Sequence, residues 1–267
     1  MTNGVGDNRA IWARLAGLTP ARIGLGRAGS GLPTRAVLRF GLDHAQARDA
    51  VHAPLEAAAL AGRIADLGFP TLTVASQAPD RATYLRRPDL GRRLAAEDRV
   101  ALQGEADGAD LAVVVADGLS ARAVHENAAP VLAAFGTHAG KAGWTLAPVV
   151  IARQARVALG DDIGQALGVR AVAVLIGERP GLSSPDSLGI YLTVGPRPGR
   201  SDAERNCISN VRSAGLAPDL AAFKLAWLLA RALSLGLTGV TLKDESDRAL
   251  AARGPARPLP DADGTSD

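Results

Sequence analysis

The stretch Leu111-Ala-Val-Val-Val-Ala-Asp-Gly-Leu-Ser120 decides the fold. Its first five residues form an unbroken apolar run, the mark of a strand covered on both faces. Ser120 then caps a helix predicted to run to about His138, with Pro130 as a candidate break. Ala147 to Ala152 reads as a second strand, followed by a helical stretch around 156–168. Ala171 to Ile176 reads as a third strand and Leu188 to Val194 as a fourth. The loop between these last two has no room for a crossover helix, so the fourth strand is expected to run antiparallel to its neighbour. A long helix from about Asp219 to Leu235 closes the pattern. Alternating strands and helices argue for an α/β fold with a Rossmann-like three-layer sheet domain.

The chain upstream has a different texture. A short helix is expected over residues 8–16, with Ile11, Trp12 and Leu15 on one face. A Gly-rich loop follows, from Gly17 to Pro33. Thr34 is expected to cap a helix through about His52, and Pro54 to open another that stops at Gly68. Residues 70–105 read as short pieces. The sequence therefore divides into a mainly helical N-terminal region (1–105), the sheet domain (106–245) and a frayed polar tail (246–267).

Composition narrows the function classes. At 47% hydrophobic and 21% charged, the chain is globular rather than disordered. Aromatic residues are only 3%, so the core must be aliphatic. The net charge of +3 is spread over interspersed acids and bases, which argues against nucleic-acid binding. A single cysteine excludes an internal disulfide framework and a multi-cysteine zinc site. No apolar run approaches the roughly 18 residues of a membrane helix, and Met1 to Pro20 lack a signal-peptide pattern. A cytoplasmic protein is the expectation.

Several motifs invite chemistry. Gly24-x-Gly26-x-x-Gly29 matches a dinucleotide fingerprint, the one motif for a standalone nicotinamide-dependent oxidoreductase. No apolar strand precedes it, so a connecting loop is the better reading. Asp117-Gly-Leu-Ser120 sits where a strand meets a helix start, which is either a phosphate-type site or an ordinary capped turn. No acid or cysteine completes a metal set around His44 and His52. Asp161 and Asp162 are adjacent, so they point in different directions and suggest a solvated helical face. Neither a Gly-x-Ser-x-Gly elbow nor a P-loop is present. No catalytic residue is assigned.

Glu178 and Cys207 differ from these. Glu178 directly follows a strand that should be buried, in Gly177-Glu-Arg-Pro-Gly-Leu182. Strand ends are where open α/β sheets collect ligands. Cys207 lies in the polar stretch Asn206-Cys-Ile-Ser-Asn210, read as a loop. A solvated loop acid and an inert buried thiol stand as the alternatives.

Six blocks together resemble one family. They are Thr19-Pro-Ala-Arg-Ile-Gly-Leu-Gly-Arg-Ala-Gly-Ser-Gly-Leu-Pro-Thr34, Leu42-Asp-His-Ala-Gln-Ala-Arg-Asp-Ala-Val-His52, Arg87-Pro-Asp-Leu-Gly-Arg-Arg93, Asp117-Gly-Leu-Ser120, Gly177 to Leu182 and Asn206 to Asn210. In this order they resemble the small subunit of ethanolamine ammonia-lyase, over about residues 19–245. The resemblance implies an adenosylcobalamin-dependent radical conversion of ethanolamine to acetaldehyde and ammonia. It implies a large subunit, a TIM barrel, that carries most catalytic groups, in a hetero-oligomer with cobalamin between the subunits. By local motif it places cobalamin contacts on Val157, Glu178 and Cys207. It leaves open whether the complex is packaged in a bacterial microcompartment, and whether this chain is only a structural scaffold. The Asp-x-His-x-x-Gly motif that supplies a cobalt-ligating histidine is absent, so no metal ligand is expected from this chain.

Overall fold

The computed structural model describes residues 5–252. Among these, six strands form one mixed sheet: β1 (Thr71–Ala75), β2 (Leu111–Ala116), β3 (Val149–Arg153), β4 (Ala171–Gly177), β5 (Leu188–Val194) and β6 (Asn206–Val211). Their spatial order is β1-β3-β2-β4-β5-β6. The first four are mutually parallel, and β5 and β6 extend the sheet antiparallel. Every residue of β2 and β4 is buried, which is why their sequences show no alternation.

Helices cover both faces. On one face lie α3 (Ala57–Ala65), α6 (Ala121–Ala142) and α8 (Pro218–Leu235), packed on Val113, Val115, Ala173 and Leu175. On the other lie α5 (Ala96–Leu102) and α7 (Leu159–Leu167), packed on Val114, Val172, Val174 and Ile176. Alternate residues of one strand thus feed two separate aliphatic cores.

The local signals for α6 behave as expected at its start. Ser120 Oγ accepts from the Ala123 amide at 3.2 Å. Pro130 does not break the helix, because it sits on the exposed side where water can satisfy the freed carbonyl. Two glycines then let the turn after β2 touch the end of β4. A Cβ on Gly177 would lie 2.1 Å from the Ser120 carbonyl oxygen, and one on Gly118 2.2 Å from the Gly177 carbonyl oxygen. This contact holds the β2–α6 and β4–β5 connections side by side.

Several sequence expectations are corrected. β1 lies within the stretch read as short pieces of a mainly helical region; only Val74 of it is buried, so its apolar signal is weak. Residues 206–211 are an edge strand rather than a polar loop, because Ile208 and Val211 point inward. In α2 (Thr34–His52), Pro33 occupies the cap position and Thr34 is already helical. Pro54 lies before α3 rather than inside it. Part of the expected frayed tail forms α9 (Ser246–Ala251), tied by Lys224 to Asp247 at 2.6 Å. The rest of that tail lies outside the described residues.

The acids Asp161 and Asp162 are not on a solvated face. Both are buried, in the first turn of α7, and they diverge as neighbours on a helix must. Asp162 accepts from the Leu94 amide at 3.0 Å and from Arg99 at 2.7 Å. Asp161 receives Arg205 in a two-pronged pair at 2.8 and 2.6 Å, with both side chains 1% exposed. Arg205 also donates to Thr193 Oγ1 and to the Arg200 carbonyl, both at 3.0 Å. Breaking a buried pair leaves an uncompensated charge, so Asp161→Asn should cost about 3–5 kcal/mol. Urea unfolding would register this as a lower midpoint at unchanged slope. A loss of less than about 1 kcal/mol, the scale of an exposed pair, would count against the account.

Candidate functional site

The antiparallel extension creates an open shelf. Leu188, Ile190, Leu192, Ile208 and Val211 face the core under α8. The alternate residues Gly189, Tyr191 and Cys207 face the side that α7 covers over β2 and β4. Beyond α7 that side is open: Tyr191 is half-buried, and Cys207 and Ser209 are exposed. Val174, Tyr191 and Cys207 stand in register across β4, β5 and β6.

Glu178 continues β4 with the same parity as Val174 and Ile176, so its side chain rises on this face. Its amide donates to the Ser187 carbonyl at 2.9 Å. Its Oε2 accepts from Ser187 Oγ at 2.5 Å and from the Asn210 amide at 3.3 Å. The second bond depends on a bulge. Asn210 sits at φ 59, a left-handed conformation that Asn tolerates better than most residues. Its carbonyl accepts from the Leu216 amide at 2.8 Å, which holds it there. Among the described residues none donates to Oε1. That oxygen lies over Gly189, 3.0 Å from where a Cβ would stand.

Cys207 stands beside Tyr191 as its register partner across β5 and β6. Partial desolvation pushes its thiol above the ordinary value and the Glu178 charge adds to this, against the Tyr191 bond. The shift favours the thiol over the nucleophilic thiolate. Burial likewise raises the Tyr191 hydroxyl, with Cys207 and Glu178 contributing. Val157, in the β3–α7 connection, is half-buried and packs with Tyr191 against the α7 core. The structure thus sets Val157, Glu178 and Cys207 on one face of the sheet.

Ser187, Tyr191 and Asn210 are the participants that sequence reasoning did not assign. Only Asn210, in a run of hydrogen-bonding residue types, carried a local signal.

The Asp117 turn has a different role. The connections after β2 and β3 leave toward opposite faces, the arrangement that opens a ligand crevice in many α/β sheets. Here the crevice is filled from within. Asp117 accepts from the Gln154 and Ala155 amides, both at 2.9 Å. Arg81, from α4 (Arg81–Arg86), reaches Asp117 at 3.5 Å, the Gly118 carbonyl at 2.9 Å and the Val51 carbonyl at 2.7 Å. The Arg81 and Arg156 guanidiniums lie 4.8 and 4.4 Å from the Tyr84 ring centroid. Burial pushes the Asp117 carboxyl up, while the two amides and Arg81 pull it down. Asp117 is a structural anchor, and Ser120 is the N-cap.

The Gly24–Gly29 fingerprint lies in the loop between α1 (Val5–Gly17) and α2. A helix precedes it rather than a strand, so it lacks the setting of a dinucleotide site. Around it the chain leaves apolar side chains in solvent: Leu18, Leu32, Val37, Leu38 and Leu42 are each more than half exposed. Among the described residues no helix is long and apolar enough to cross a membrane.

Comparison with known proteins finds one family. The family model described as ethanolamine ammonia-lyase light chain (EutC) matches residues 9–243. A protein of Xanthomonas campestris pv. campestris named ethanolamine ammonia-lyase small subunit is 56% identical over 246 residues, covering 91% of this chain and 90% of the relative. A Rhodopseudomonas palustris protein of the same name is 56% identical over 239 residues, covering 88% and 92%. One from Pseudomonas fluorescens is 53% identical over 239 residues, covering 88% and 86%. The match spans β1 through β6 and the shelf they build, so the chain belongs to the ethanolamine ammonia-lyase small-subunit family, a subunit of a lyase complex.

Proposed function

We propose that the shelf of Val157, Glu178 and Cys207 holds the rim of adenosylcobalamin, in a hetero-oligomer with the large subunit. One observation carries this reading: Glu178 has one oxygen tied down by Ser187 and Asn210 and the other free over Gly189. A corrin rim is studded with neutral amides, and a fixed carboxylate oxygen is a strong acceptor for such a donor. The donor set fits the group. Gly189 gives depth, Tyr191 and Val157 give apolar wall, and the neutral Cys207 thiol brings no charge.

When bound, adenosylcobalamin supplies a carbon-centred radical by homolysis of its cobalt–carbon bond, which converts ethanolamine to acetaldehyde and ammonia. This chain's residues bind, orient and exclude water. Glu178 accepts a rim amide, Val157 packs on the ring edge, and Cys207 fills space beside Tyr191. A TIM-barrel large subunit supplies the substrate site and most catalytic groups. On this reading residues 106–245 act as a Rossmann-like cofactor-holding unit, and the N-terminal region docks on the large subunit. The complex works in the cytoplasm; neighbouring shell-protein genes would mark microcompartment packaging.

Glu178→Ala in the two-subunit complex should weaken adenosylcobalamin binding about tenfold or more, the scale of a lost bond to a charged group. Ethanolamine KM should move little; an equal loss for both ligands would defeat the assignment. Acetaldehyde formation should need this chain, the large subunit and adenosylcobalamin together. Full turnover by the large subunit alone would sink the reading. Leu38→Glu puts a charge on an exposed apolar position, so it should leave this chain folded and weaken its co-elution with the large subunit in gel filtration. Unchanged co-elution would remove that stretch from the interface.

A further inference from the structure

We propose that Ser187 is a positioning residue for cobalamin binding, acting through Glu178. The inference rests on the shelf being the cobalamin site.

An unrestrained glutamate has three rotatable bonds, and its terminal torsion is broad. At the end of β4 it could offer either oxygen, in many directions. Ser187 removes that freedom. Its hydroxyl donates to Oε2 at 2.5 Å, while its carbonyl accepts from the Glu178 amide at 2.9 Å. The two residues thus grip each other at both backbone and side chain. The Asn210 amide, at 3.3 Å, completes the hold on the same oxygen. Oε1 is left as the outward acceptor, above the space that Gly189 keeps clear.

The grip works only if Ser187 is itself fixed, and the structure fixes it from the α6 side. Ser120 Oγ donates to the Pro185 carbonyl at 2.7 Å. Asn127 Nδ2 donates to the Asp186 carbonyl at 2.9 Å, and Arg212 pairs with the Asp186 carboxylate at 3.2 Å. Asn127 and Ser187 are each 5% exposed. A chain of partly buried bonds therefore runs from the start of α6, through residues 185–187, to one oxygen of Glu178. None of these groups needs to touch a ligand. They set the direction of the acceptor before the ligand arrives, which saves ordering entropy on binding.

The test uses the assembled two-subunit complex. Hydroxocobalamin is titrated into native complex, Ser187→Ala, Glu178→Ala and the double variant, with binding followed by absorbance. Thermal unfolding and gel filtration are run on each. Ser187→Ala should weaken hydroxocobalamin about tenfold with assembly intact and ethanolamine KM unchanged. In the Glu178→Ala background the same change should have no further effect, because its target is gone. Ser187→Thr, which keeps a hydroxyl, should recover most of the affinity. If Glu178→Ala weakens binding but Ser187→Ala stays within twofold of native, the inference is overturned and the shelf reading survives. An equal Ser187→Ala loss with and without Glu178 would reveal a merely structural role and also overturn it. If Glu178→Ala itself leaves affinity unchanged, the shelf reading falls and this inference falls with it.

Discussion

The shelf depends on one buried ion pair. Arg205 immediately precedes β6, Asp161 opens α7, and Thr193 ends β5; the Arg205 guanidinium touches both of these partners. All three walls of the site therefore meet at one planar group. Its fork geometry with the carboxylate fixes orientation as well as distance. Val157 is four residues before Asp161, and Cys207 two after Arg205. A hydrophobic contact at the same place would hold the elements together but allow them to slide. The pair helps fix the register of an edge strand that is anchored from below by Ile208 and Val211 and by the Asn206 hydrogen bonds to Gly239 and Leu242.

Much of this fold is written in plain apolar runs. β2 and β4 are legible because both faces are covered, so all their residues must be apolar. The antiparallel turn into β5 follows from a loop too short for a crossover helix. β6 is illegible for the opposite reason: one face is solvent, and its bulge at Asn210 breaks the alternation. The fate of Asp161 has no local signal at all, since its partner lies 44 residues away. Two adjacent acids at a helix start look solvated until the tertiary fold supplies their cations.

The candidate site was half legible. Glu178 stood out as a carboxylate at the end of a buried strand. The residues that give it direction did not, because Ser187 and the Asn210 amide act through geometry that no residue type announces. The generic expectation for an α/β sheet also pointed elsewhere, to the crevice beside Asp117. That crevice is occupied by Arg81, Tyr84 and Gln154. The open surface lies further out, on the two antiparallel strands. The candidate site sits at the end of β4, at the sheet extension rather than at the switch point.

The apolar arm around Leu18, Leu32 and Leu38 carries a cost for the cell that makes this chain. In the chain by itself those side chains stand in water, a contiguous apolar stretch of the kind that proteins normally cover. Apolar side chains left in water in this way make the isolated chain prone to self-association.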